Sequence, residues 1–406
     1  MGLIVYIGDF DFTNENVQSF LVRNNGKIFT NLGYRVAYIG VNRKQKSLNS
    51  TKQRITKKVF DDGNFYLELP DTLNLKGILS FRRICKIILS ELDSLNCNDE
   101  VDYVVTYQSP TYSFLLKYIG KWCKKNTIPY IVNCADLPIF SQQKFIRRII
   151  MKINWEYMHK VNKKYSNGVI SVSKYIQNFY KKENCAYTII PPLFDDTCID
   201  FDNFTSNKVA TFVFAGTPFK FTGSIVKTDS MKDRLDLIID YFYELSLKGI
   251  NYKFAIAGIT KDDYIVSVPR QKEILDNCLD IEFYGCLDHK HTMQIVANSD
   301  FSISYRVENT MTKAGFPTKV VESISVGTPV IMNRISDVFD YLVAEESIFE
   351  LSHVNKENVM LIEKLCLLTP NERKNIKDRV VLKGIFNYGR YIEPMKSFLL
   401  SVKSIA

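Results

Sequence analysis

What leaves this chain fewest options is a rhythm. Short apolar runs rich in Val, Ile, Tyr and Phe alternate with longer stretches whose apolar residues recur every three or four positions. Strands separated by helix-length segments pair in parallel and bury both faces under those helices, which predicts the α/β class and excludes sandwiches and bundles. Strands are predicted at 3–7, 35–39, 103–106, 130–133, 169–172 and 188–190, with helices near 14–31, 79–94, 111–125, 141–165 and 174–183. In the first helix Val17, Phe20, Leu21, Ile28 and Phe29 keep helical spacing, and Thr13 or Asn14 stands where a cap belongs. The rhythm breaks at Pro191-Pro192-Leu193-Phe194-Asp195-Asp196 and the polar stretch that runs on to Asn207, which reads as a linker. It then restarts, with strands at 210–215, 253–257, 281–284, 301–305 and 330–332 and helices at 232–248, 288–298 and 318–326. Two doubly wound Rossmann-like domains facing each other are therefore expected, residues 1–200 and 201–385. Ligands of such sheets gather at the carboxyl ends of the strands, so a site between the domains is expected.

Composition and charge narrow the function classes. A chain of 406 residues with 46% apolar residues, 12 prolines and 18 glycines builds more than one core and is neither disordered nor collagenous. No run of 18 apolar residues is present, and Met1-Gly2-Leu3 reaches Asp9 too soon for a signal peptide, so a cytoplasmic location is expected. Nine cysteines without a Cys-x-x-Cys pair suggest neither zinc nor disulfides. Residues 1–200 hold 28 Lys and Arg against 18 Asp and Glu, while 201–406 hold 25 against 26, so the first half should meet an anionic partner. Within it, residues 141–165 place Lys144, Arg148, Lys152, Trp155, His159 and Lys163 at helical spacing. This basic stripe with an aromatic anchor suits peripheral attachment to an anionic membrane surface, or is a solvated basic face. No recognition module accompanies it, which argues against nucleic acid. His159, His289 and His291 read as surface residues, and the first strand's Gly8-Asp9-Phe10-Asp11 is no dinucleotide fingerprint.

The richest stretch follows Ser304-Tyr305-Arg306. From Ala314 to Ile331, Gly315 and Pro317 open a helix whose free amides favour a phosphate, and Gly327 closes it. Lys319 and Glu322 stand three apart there, the spacing of an ordinary helical ion pair or of two site residues.

In five places, in order, the chain resembles the retaining, nucleotide-sugar-dependent glycosyltransferases of the GT-B fold, family 4 in particular. They are Gly168 to Ile176 with Ile190-Pro191-Pro192; Phe214-Ala215-Gly216-Thr217-Pro218; Lys232 to Ile239; Phe283-Tyr284-Gly285; and Gly315 to Val330. The resemblance implies an acceptor-binding first domain, a donor-binding second domain and a last helix, 386–406, that returns to the first. It implies Glu322 on the nucleotide ribose, Gly315 and Phe316 as backbone beside the sugar and diphosphate with Pro317, Thr318 and Lys319 next to them, Lys232 on the diphosphate, and Gly216 and Thr217 as the turn beneath. Three places depart from the family: Ala314 replaces a glutamate, Thr217 an arginine and Ala135 a histidine. Arg306 or Lys220 is the expected substitute for the missing arginine, Arg306 being preferred. Asp136 is a candidate for a catalytic or acceptor role or a capping carboxylate. Asp9 and Asp11 are candidates for the acceptor or a solvated turn. The implied activity is hexosyl transfer from a UDP- or GDP-sugar, without metal or other cofactor, to a lipid-linked glycan in bacterial capsule, O-antigen or exopolysaccharide synthesis. A sugar-nucleotide epimerase and a non-catalytic scaffold are the alternatives.

Overall fold

A computed structural model describes residues 2–12, 17–42, 56–60, 62–70, 75–107, 113–137, 145–194, 208–227, 231–381 and 384–406. The expected caps Thr13 and Asn14, residues 195–207 of the expected linker 191–207, and Lys144 lie outside these residues. The chain forms two compact units, one of residues 1–193 and 388–406, the other of 194–387.

Unit 1 runs β1 (Leu3–Gly8), α1 (Val17–Asn31), β2 (Arg35–Asn42), β3 (Thr56–Val59), β4 (Phe65–Pro70), α2 (Leu75–Asp99), β5 (Val101–Tyr107), α3 (Ser113–Lys125), β6 (Tyr130–Cys134), α4 (Phe145–Tyr165), β7 (Gly168–Ser171), α5 (Lys174–Tyr180) and β8 (Ala186–Ile189). The sheet order is β3-β4-β2-β1-β5-β6-β7-β8. Every pairing is parallel except β3 with β4. Strand β1 is wholly buried, as a central parallel strand covered on both faces must be. The β3–β4 hairpin was not foreseen: Thr56-Lys57-Lys58-Val59 is too polar to read as a strand, and it is tolerated because it sits at the sheet edge.

Unit 2 runs β9 (Thr211–Ala215), α6 (Leu235–Leu247), β10 (Lys253–Ala257), α7 (Lys261–Ser267), α8 (Lys272–Asn277), β11 (Ile281–Gly285), α9 (His289–Asn298), β12 (Phe301–Ser304), α10 (Thr310–Ala314), α11 (Thr318–Ser325), β13 (Val330–Asn333), α12 (Val338–Tyr341), β14 (Ile348–Leu351), α13 (Asn355–Cys366) and α14 (Pro370–Val381). Its six strands are all parallel, in the order β11-β10-β9-β12-β13-β14. Phe212, Phe242, Phe254 and Phe301 fill the core, Phe242 stacking on Phe254 at 4.4 Å. Three expectations are corrected here. The helix read from Lys232 begins at Leu235, which leaves Lys232, Asp233 and Arg234 in the connection before it. The supposed loop after Arg306 contains α10, opened by an Asn309–Thr312 capping box. Gly315 caps the end of α10 while Pro317 starts α11, so the glycine does not open the second helix.

The chain re-enters unit 1 through α15 (Ile392–Ile405), and Tyr103 Oη donates to the Leu399 carbonyl at 3.1 Å. No helix among the described residues is long and apolar enough to cross a membrane.

Candidate functional site

In unit 2 the strand order reverses between β9 and β12, the position at which doubly wound sheets take their ligands. Gly216 (φ +119°) and Gly258 (φ +119°) directly follow β9 and β10, and β11 ends in Gly285 (φ +67°), conformations that L-residues rarely adopt. The Gly216 amide donates to the Ala257 carbonyl, and the Gly258 amide to the Gly285 carbonyl, each at 2.7 Å. A Cβ on Gly258 would stand 2.5 Å from the Gly216 carbonyl carbon, and one on Gly216 would stand 2.4 Å from Lys319 Cε. Glycine is thus required twice, once for backbone and once for the lysine.

Lys319, on the first turn of α11, lies across Gly216. Its ammonium sits 4.3 Å over the Phe214 ring and donates to Asp233 Oδ2 at 2.8 Å. The other oxygen of Asp233 lies 3.3 Å from Arg306 Nε, outside hydrogen-bond alignment. Asp233 is 1% exposed and Arg306 7%. Burial alone would raise the Asp233 carboxyl, but Lys319, Arg306 and Lys232 together hold it below its ordinary value. Burial likewise pulls Arg306 below the ordinary arginine value, with Asp233 opposing it. Asn333, at the end of β13, fixes the arginine backbone by accepting from its amide at 2.8 Å and donating to its carbonyl at 3.0 Å. Three cations surrounding one buried carboxylate leave a rim of net positive charge, with Lys319 packed directly on the Gly216 backbone.

The other expected donor residues fall on the same edge of unit 2 or near it. Lys232 is exposed, its backbone tied to Pro218 and Val307. Thr217 is exposed, its hydroxyl 3.5 Å from the Gly258 carbonyl. Lys220 is exposed as well. Glu322, on α11, meets His289 Nε2 at 3.2 Å, so the Lys319–Glu322 helical pair does not form and each side chain has a partner outside α11. Gly315 accepts from the Ser336 hydroxyl at 2.7 Å. The Phe316 ring turns inward against Tyr341 and Phe386, Pro317 is buried, Thr318 is half-buried, and Ala314 is fully buried. Sequence reasoning missed Asp233 and Asn333, because nothing local links either to Arg306. The one available signal was an acid wedged between Lys232 and Arg234.

In unit 1, Asp9 and Asp136 flank Tyr107 at the ends of β1, β6 and β5. The tyrosine is buried, and its hydroxyl is pushed well above the ordinary value by burial, then by Asp136, Tyr6, Cys134 and Asp9. Asp136 is exposed, whereas Asp11 is buried, its carbonyl accepting from Ser19, so Asp11 is no solvated turn residue. Ala135 is half-buried beside Asp136. Beneath this edge Tyr6 donates to Asn133 at 2.9 Å, and Tyr130 to Asn162 at 3.0 Å.

The helix 141–165 is corrected in two respects. Trp155 and His159 are buried, so they do not share the exposed face of Lys152 and Lys163. His159 Nδ1 meets the Tyr180 hydroxyl between the rings of Trp155 and Phe179, and burial, then Lys163, lowers its pKa to about 3. His289 takes part in the Glu322 contact, whereas His291 pairs with its own cap, Asp288. No group of three or more His, Cys, Asp or Glu side chains among the described residues is placed to hold a metal.

No protein-family model matches this chain, and no curated protein matches it in sequence. Solved structures do match along its whole length. A glycosyltransferase from Rickettsia africae is similar at TM-score 0.63 and 15% identity, over 99% of this chain and 98% of that one. HepE of Anabaena, in complex with UDP and glucose, is similar at TM-score 0.62 and 12% identity, over 99% and 100%. Sucrose-phosphate synthase from Thermosynechococcus elongatus is similar at TM-score 0.62 and 11% identity, over all of both chains. The fold is thus GT-B, two doubly wound units in tandem.

Proposed function

We propose that the chain is a retaining glycosyltransferase that moves a hexosyl unit from a UDP- or GDP-sugar, bound by unit 2, to a glycan acceptor bound by unit 1. The acceptor is carried on a lipid in bacterial surface-polysaccharide synthesis. The observation that supports this most is the meeting of Gly216, Lys319, Arg306 and Lys232 at the switch point of unit 2, a rim where cations gather against a backbone kept bare by glycine. The leaving nucleoside diphosphate gains negative charge as the sugar departs, and preorganised cations favour that state over the ground state. In this reading Glu322 accepts from the ribose hydroxyls, no metal is needed, and the departing phosphate takes the acceptor proton. A solved HepE complex with UDP-glucose supports UDP as the first nucleotide to test.

The test is calorimetric titration with UDP, GDP, CDP and dTDP and their sugars, with and without EDTA. Tight binding of one nucleotide in EDTA, lost in Glu322→Ala, is expected. Absence of binding to all of them overturns the donor site and favours the scaffold reading, which the buried Ala314 supports because the family glutamate is missing there.

A further inference from the structure

Helix α4 carries apolar residues on two sides. Trp155, Met158 and Val161 pack inward. On the outer side Ile146, Ile149, Ile150 and Ile153 follow the i, i+3, i+4, i+7 course of a single stripe, and Ile146 is 73% exposed and Ile153 62%. Helix α3 lies alongside, with Ser113 donating to Asn154 at 2.7 Å and the Phe114 ring 4.9 Å from Tyr157. Exposed Phe114 and Tyr118, four residues apart, continue the patch onto α3. Scattered apolar residues on a surface mean nothing, but a contiguous patch across two helices marks an interface.

The surroundings decide what covers it. Lys117 and Lys121 of α3 and Lys152 and Lys160 of α4 are exposed, the Arg148 guanidinium lies 5.5 Å over the Phe145 ring, and Glu156 is the one acid in the two helices. A second copy of the chain would set this cationic rim against itself. An apolar stripe rimmed by lysines matches instead the boundary between headgroups and acyl chains of an anionic bilayer.

We infer that the α3–α4 face of unit 1 docks on anionic lipid with the isoleucine stripe of α4 inserted at the headgroup boundary. The aromatic anchor expected of Trp155 is thereby replaced by Ile146, Ile149, Ile150 and Ile153. The inference uses nothing from unit 2.

Flotation with vesicles of phosphatidylcholine, alone or with a quarter phosphatidylglycerol, tests it. The chain is expected to float with the anionic vesicles about tenfold more than with the neutral ones, and to keep part of that binding in high salt because insertion is not screened. The variant I149S/I150S/I153S is expected to lose about tenfold in partition while its UDP titration and melting midpoint stay unchanged. K117E/K152E, altered only at exposed lysines, is expected to lose the anionic preference and supplies the test should the triple variant misfold. Three results overturn the inference: no flotation of the parent chain; a folded triple variant that floats like the parent; or a parent dimer by light scattering that the triple variant converts to monomer. Because UDP titration is run on the same preparation, flotation without nucleotide binding sinks the donor site alone, and nucleotide binding without flotation sinks this inference alone.

Discussion

Each unit ends its sheet in a rim of loops, and the two rims are built from opposite chemistry. That of unit 2 is stripped to glycine at Gly216, Gly258 and Gly285 and furnished with Lys232, Arg306 and Lys319 around one carboxylate. That of unit 1 keeps Asp9 and Asp136 beside buried Tyr107, over tyrosines that donate to buried asparagines. Both units have a doubly wound parallel core, so the fold alone does not distinguish the rims; their local charge does. The charge of the second rim suits an anion, and a neutral ligand rich in hydroxyls is compatible with the first.

The comparison breaks most visibly at Asp233. Asp233→Ala leaves Arg306 buried without its counter-ion and should cost roughly 3–5 kcal/mol, read from urea denaturation of unit 2. Gly216→Ala forces a Cβ into Lys319 at an unfavourable φ, for about 1–3 kcal/mol of strain, and calorimetry should show weaker binding of UDP.

Acid separates the units. His159 is held neutral by burial, its pKa lowered to about 3 from 6.5, so the unfolded chain takes up the proton first. Its contribution is intact above pH 6.5 and falls as the pH drops from there toward 3, by up to about 1.4 kcal/mol per unit. The Asp233 carboxyl, held below its ordinary 3.8, keeps its contribution until the pH falls through that value. Melting followed from pH 7 to 5 should therefore weaken unit 1 more than unit 2, and His159→Phe should flatten the trend. The smallest effect is the sharpest control: Asp136→Asn should change stability by less than about 0.5 kcal/mol and leave UDP affinity unaltered while slowing transfer. Unchanged transfer would remove Asp136 from the site.

Much of the fold was legible because buried parallel strands are continuous apolar runs that need no partner to be recognised. The block from Gly315 to Val330 was legible for the same local reasons: a proline at a helix start, and Gly327 at φ +78° after its end. What escaped was non-local. Asp233 pairs with a lysine 86 positions on, and only the sheet brings them together. The strand at 56–59 is polar because edge strands tolerate polarity. On α4 both faces have helical spacing, and reading the lysines as one face placed Trp155 and His159 outside and left the isoleucines unconsidered. Apolar periodicity shows that a face is covered, but not whether protein covers it.

The returning helix sets an order of events during synthesis. Gly168 has no side chain because Val402 and Phe398 press on it: a Cβ there would stand 2.5 Å from Val402 Cγ2 and 2.7 Å from Phe398 Cζ. Unit 1 is therefore still missing a wall when its first 193 residues have been made, whereas unit 2 is continuous in the chain. The ribosome must complete the whole of unit 2 before residues 388–406 arrive to close unit 1. The half made first is finished last, and until then its β7 surface stands open to chaperones and to misassembly.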